Sequence, residues 1–277
     1  MLNDIKRLLL LTLSAPVKPG SVHRLMGDFD FERRLLELVE VEPYIEEAYR
    51  RGQMLGQGKI TAQELGLGSI ISKALRAASA GSEETPLVGL WSAAVSVAAM
   101  DGYAAESNMR MYESLRILML RTLYASLPDD GAELLEGISD VGDSDLISYL
   151  SSRNVTENYV RSNKMTLGDL FEALSEVDKG FAINLRGHEW LLQLTRKYEG
   201  SRSLLGGLVK VYLTVASEVS GDSELASAAG RQELDLVGLM KLDRRLSGSR
   251  AGLNRSLGAV FLSAFLAVSS NKAPKGL

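Results

Sequence analysis

The chain has 277 residues, enough to bury a substantial core in one large helical domain or two small ones. Its 45% hydrophobic and 24% charged residues are ordinary for a globular protein. A formal charge of −4, with lysines and arginines scattered along the sequence, gives no electrostatic reason to expect nucleic-acid binding. Cysteine is absent and histidine occurs only at His23 and His188, which excludes disulfides, thiolate catalysis, Cys-based zinc or iron–sulfur sites and multi-histidine metal centres.

Apolar residues recur with helical spacing along nearly the whole sequence, and no stretch alternates with period two long enough to suggest a sheet. The expected fold is all-α, a compact single-domain multi-helix bundle. The opening "MLNDIKRLLLLTLSAP" has the charge-then-apolar order of a signal peptide, but Asp4 is atypical of one. Leu8, Leu9, Leu11 and Leu13 continue a pattern beginning at Ile5 and fit a core helix over about 3–14. Further helices are expected over about 31–51, 61–79, 87–102, 106–126, 129–138, 143–152, 166–179, 181–198, 203–219, 222–230, 233–247 and 252–269. "TAQE" (Thr61 to Glu64) and "TLGD" (Thr166 to Asp169) resemble capping boxes. "SDVGDSD" and "SSRNVTEN" make 139–163 the most loop-like region. Small residues in "WSAAVSVAAM" and "GAVFLSAFLA" allow close helix packing, and "GAVFLSAFLAV" is too short to span a bilayer. No membrane association is expected, and the cytoplasm is the expected location.

Chemistry first becomes plausible at "VKPGSVHR". Pro19 and Gly20 make a sharp turn, and Lys18, His23 and Arg24 surround it with donors suited to phosphate. The competing reading is a helix-to-helix corner with solvated basic residues, and local chemistry leans that way. Next, "GDFDFE" sets Asp28, Asp30 and Glu32 at alternate positions. In an extended loop they could hold Mg²⁺ through oxygen; at a helix start they would complement the dipole, with Asp30 a natural N-cap. Late in the chain, "GLNRSLGAVF" places Asn254 and Arg255 before an apolar helix. There they could meet an anion, or Asn254 could simply cap the helix.

Together, "SAPVKPGSVHR" and "FDFE" at the start of an all-helical chain of this length resemble the triphosphoribosyl-dephospho-CoA synthase family, especially its archaeal-type members. The family's first motif is Lys-Pro-Gly-x-Val, followed in those members by His-Arg and an acidic Phe-Glu segment. Lys18, Pro19, Gly20, Val22, His23, Arg24, Phe31 and Glu32 match it. Asn254 fits the family's later Asn-Pro-Gly segment, with Arg255 in place of proline. The central Asn-Thr-His-Lys-Gly or Asn-Thr-Asn-Leu-Gly motif is represented by "GSEETPLVG". Thr85, Leu87 and a displaced Gly89 remain, while Glu84 and Pro86 replace polar positions. A further Asp-Thr-x-x-x-Arg-Lys-x-Gly segment survives as "GDSELASAAG", with Asp222 and Gly230 but no basic pair.

The resemblance implies transfer of the triphosphoribosyl group of ATP to the ribose hydroxyl of dephospho-CoA, or a related acceptor, with release of adenine. It implies His23 and Glu32 as catalytic residues, and Lys18, Gly20, Arg24, Thr85 and Asn254 as substrate and phosphate ligands. Asp28 and Glu32 would hold Mg²⁺ accompanying ATP. The expected partners are nucleotide and CoA-like small molecules, with no nucleic acid; a homodimer is compatible with the sequence. Glu84 beside phosphates would weaken binding by roughly a few kcal/mol unless an arginine or a metal offsets it. The alternative is a non-catalytic relative that binds a nucleotide or CoA-like ligand, or serves as an interaction protein.

Overall fold

The computed structural model describes residues 2–82, 84–199 and 201–274, without the side chains of Asp28 and Phe29. The N-terminal part runs through α1 (Leu2–Ser14), α2 (Asp28–Gly56), α3 (Leu67–Ser79), α4 (Val88–Glu106) and α5 (Met111–Thr122). It continues through α6 (Pro128–Asp140), α7 (Ser144–Ser152), α8 (Glu157–Ser162) and α9 (Leu167–Leu174). The C-terminal part comprises α10 (His188–Glu199), α11 (Leu204–Ser220), α12 (Ser223–Gly230), α13 (Leu236–Leu246), α14 (Arg250–Asn254) and α15 (Leu257–Ser269). Among the described residues there is no strand, so the protein is all-α.

The differences from the sequence expectations have local causes. α2 begins at Asp28 with Gly27 as its N-cap, so Asp30 stands in the first turn and is not the cap. The helix expected over 61–79 is a 3₁₀ turn, Ala62–Leu65, followed by α3; the Thr61–Glu64 capping box forms but starts only the short turn. The region read as most loop-like contains α7, which matches the helix expected over 143–152, and α8, which was not expected. Its polar residues are their N-caps, Asp143 accepting from the Leu146 N–H and Thr156 from the Tyr159 N–H. The helix expected over 252–269 is parted at Arg255 and Ser256 into α14 and α15.

α4 is the central helix. It is apolar on all sides, and Trp91, Ala94, Val95, Ala98 and Ala99 are buried. It packs most extensively against α2, then α15 and α3. Backbone contact explains the glycines at the first crossing: a Cβ at Gly52 would lie 2.0 Å from the Ala99 carbonyl oxygen, and one at Gly102 2.1 Å from that of Tyr49. A second close crossing joins Gly89 of α4, Gly180 of the 3₁₀ turn Lys179–Ala182 and Gly258 of α15. A Cβ at Gly258 would lie 2.2 Å from Gly180 Cα. α1 contributes Ile5, Leu8, Leu9 and Leu13 to the core, as its spacing suggests. Among the described residues no single helix is long and apolar enough to cross a membrane. Joined α13–α14 and α15 pass by length and composition only as a pair bent by 73°, and α15 lies mostly in the core.

Candidate functional site

The "KPGSVHR" segment connects α1 to α2 and turns inward. Lys18 is fully buried, and its ammonium donates to the Leu13 and Ala15 carbonyls at the end of α1, at 3.2 and 3.4 Å. These are carbonyls that a helix end leaves without intrahelical partners. Burial holds the Lys18 pKa well below the usual lysine range. The Pro19 carbonyl accepts from the Tyr212 hydroxyl at 2.6 Å, and the Gly20 N–H donates to Asp243 Oδ1 at 2.9 Å. Gly20 has φ +70°, and a Cβ there would lie 2.5 Å from Leu253 Cδ1. His23 Nδ1 accepts from the Leu25 N–H, so the proton of the neutral ring sits on Nε2, 3.2 Å from Asp243 Oδ1. Burial lowers the His23 pKa, and Asp243 opposes the shift without reversing it. Finally, the Ser21 hydroxyl and Val22 N–H both donate to Asn254 Oδ1, at 2.7 and 3.2 Å. The corner thus ties α1 to α11, α13 and α14.

Beside this corner lies a cavity of about 410 Å³, within the usual range for a small-molecule site. Its wall from the corner is Val22 and Met26. α2 contributes Asp30 and Arg34, and Glu84 to Val88 with Leu90 come from the approach to α4 and its first turn. Asp143, Ser144 and Asp145 open α7, Asp178 precedes the 3₁₀ turn, Arg250, Ala251 and Asn254 lie on α14, and Arg255 follows its end. The helices α2, α4 and α7 begin at or beside this space.

The charged lining is organised into three clusters. Arg255 is held bidentately by Asp143, at 2.7 and 3.2 Å, and by Asp145 at 2.9 Å; its Nη1 is 3.7 Å from Asp178 Oδ2. Arg34 bonds buried Glu37, Glu84 at 3.2 Å and the Thr85 carbonyl. Glu37 also accepts from Trp91 Nε1 at 2.9 Å and the Leu87 N–H at 3.2 Å, fixing the start of α4 to α2. Burial raises the Glu37 pKa, with Arg34 opposing. The third cluster is one ion pair, Arg250 to Asp30 at 2.9 Å.

Asp178 is the most perturbed acid of the lining. Its carboxylate accepts from the Gly180 N–H at 2.8 Å and packs over Gly89, whose Cβ would lie 1.9 Å from Oδ1. Burial pushes its pKa up to about 7, against the pull of Arg255. With every group ionised, Asp30, Glu84, Asp143, Asp145 and Asp178 outnumber Arg34, Arg250 and Arg255 by two charges. Among the described residues no three His, Asp or Glu side chains come together as metal ligands.

The expected site residues divide accordingly. Thr85 and Asn254 line the cavity. Lys18, Gly20 and His23 lie in the buried corner and do not line it. Arg24 and Glu32 are exposed and stand outside the lining. The side chain of Asp28 lies outside the described residues. Glu84, expected to leave an unbalanced charge, is offset by Arg33 at 3.3 Å and by Arg34. Arg34, Asp143, Asp145, Asp178 and Arg250 were not legible as site residues. Asp222 instead caps α12 and pairs with Arg245, away from this cavity.

No protein-family model, curated protein or solved structure matches this chain.

Proposed function

We propose that the cavity binds a nucleotide and that the protein is a divergent triphosphoribosyl-dephospho-CoA synthase. It would transfer the triphosphoribosyl group of ATP to dephospho-CoA, or a related acceptor, and release adenine. One observation carries this reading. Three of the four segments singled out by the resemblance, represented by Val22 with Asp30, Glu84 to Pro86 and Asn254, line a single cavity although up to 232 residues separate them; the fourth, at Asp222, lies elsewhere.

The chemistry of the lining is suited to such a ligand. Apolar Val22, Met26, Pro86 and Leu90 offer a surface for a base, while the guanidinium groups of the lining arginines offer donors for phosphates. Asp178, with a pKa of about 7, is poised to take a proton from an acceptor hydroxyl near neutral pH. The lining carboxylates each have an arginine within ion-pair reach, so they fit a metal arriving on a triphosphate better than a permanent all-protein cage. Mg²⁺ so delivered would be met by the more exposed carboxylates of Glu84 and Asp145 and would offset the acid excess.

A second reading is a non-catalytic nucleotide or CoA-like binder. It is favoured by the pairing of every lining arginine with a protein carboxylate. Incubation with ATP, Mg²⁺ and dephospho-CoA, followed by chromatography, separates the two. Adenine release supports transfer; a rise in melting temperature with ATP but no adenine supports binding alone. Neither response to ATP, dephospho-CoA or CoA would contradict both.

A further inference from the structure

We propose that Arg250 and Asn254, one turn apart on α14, form the anion-binding edge of the cavity and take the phosphates of a di- or triphosphate group. The proposal rests on the cavity being a ligand site and adds which side chains recognise the anion.

The three lining arginines differ in how firmly the protein already holds them. Arg255 is 11% exposed and is enclosed by Asp143, Asp145 and Asp178. Arg34 is equally buried and is fixed by Glu37, Glu84 and a carbonyl. Extracting either would leave buried carboxylates without their cation, a costly change. Arg250 has a single partner among the described residues, Asp30. The pair is partly exposed, 32% and 44%, so its exchange for a ligand phosphate sacrifices little. Arg250 Nε, like Arg255 Nε, is buried with no hydrogen-bond partner among the described residues, but only Arg250 is loosely enough held to turn it outward. Swung away from Asp30, Nε and one Nη would meet a phosphate in the forked geometry that guanidinium offers.

Asn254 supplies the second contact. The Val22 N–H and Ser21 hydroxyl both bond to its Oδ1, which fixes the orientation of the amide. Nδ2 has no partner among the described residues. At spacing i, i+4 the two side chains share one face of α14, and both line the cavity. The buried corner therefore has a part in recognition without touching the ligand: it holds Asn254 in place, so little side-chain freedom is lost on binding.

Calorimetric titration of the full chain with inorganic tripolyphosphate, and separately with ATP, tests this. The wild type should bind tripolyphosphate. Arg250→Ala should weaken binding by about tenfold or more, with Arg250→Lys intermediate. Asp30→Asn should tighten binding several-fold, because the competing carboxylate is gone. Arg110→Ala, an exposed site on another element, should bind as the wild type does. Equal affinities for tripolyphosphate and ATP would identify a phosphate site alone; tighter ATP would show that the nucleoside is also held, and both outcomes support the assignment. Absence of tripolyphosphate binding, unchanged binding in Arg250→Ala, or weakened binding in Asp30→Asn would overturn it. Adenine release is a separate readout, so failure of the transferase reading leaves this result interpretable.

Discussion

The buried corner at residues 18–23 and the cavity beside it are both rich in polar groups, yet they use them in opposite ways. In the corner the Lys18 ammonium, the Pro19 carbonyl, the Gly20 N–H and the Ser21 hydroxyl each meet a protein partner, and the segment is closed to solvent. In the cavity the acids exceed the arginines, Asp178 is held near neutrality, and donors on Arg250 and Asn254 remain open. A motif dense in cations is here consumed by the fold: it fixes the geometry of the corner, and the neighbouring cavity is where the proposed ligand would lie.

The largest effect that sharpens this contrast should come from Gly20→Val. A β-branched residue at φ +70°, facing Leu253 and Leu246, should cost about 3–5 kcal/mol or prevent folding, read by urea unfolding. Next in size is a pH effect of opposite sign in the two regions. Asp178 has a folded pKa of about 7 against an ordinary 3.8, so the folded state binds the extra proton between those values. Its contribution to stability falls as pH rises from about 4 to 7, by on the order of 4 kcal/mol. Asp178→Asn should flatten that slope. His23 has a folded pKa below 6.5, so its contribution is present above that value and lost as pH falls beneath it. His23→Gln should flatten the acid limb instead. Unfolding curves from pH 4 to 8 for the two variants separate these effects; parallel profiles would break the comparison.

Smaller changes are expected where pairs are exposed. Arg250→Ala and Asp30→Asn should each alter stability by less than about 1 kcal/mol, whatever they do to ligand binding. Exposed Arg24→Ala should stay within about 0.5 kcal/mol of the wild type. A large loss from Arg24→Ala would mean that this side of the corner has a structural partner after all.

Much of the fold was legible because helical periodicity and capping are local. α11 and α12 fall within a residue of the expected spans, and both Thr capping boxes form. The break at Arg255 and Ser256 was only half legible: Asn254 was a candidate cap of the apolar helix, but Ser256 is the N-cap, and neither Pro nor Gly marks the break. Of the residues the sequence singled out, Thr85 and Asn254 line the cavity, Asn254 having also stood out locally before an apolar helix. Arg34 looked like one charge on a solvated helix face, and only its tertiary partners Glu37 and Glu84 place it in the lining. Asp143 and Asp145 fell at the start of the expected helix 143–152 and in a loop-like stretch, and nothing local marked them as cavity residues. Lys18 misled in the other direction: a lysine beside Pro-Gly suggests a solvent-facing cation, but the end of α1 draws it inward.

Backbone hydrogen exchange with and without ATP and Mg²⁺ tests most directly whether the cavity, rather than the corner, is the ligand site. The expected result is new protection at residues 84–90, 143–146 and 250–255, with residues 18–21 unchanged because they are already buried and bonded. New protection confined to residues 18–24, or none anywhere at saturating nucleotide, would contradict it.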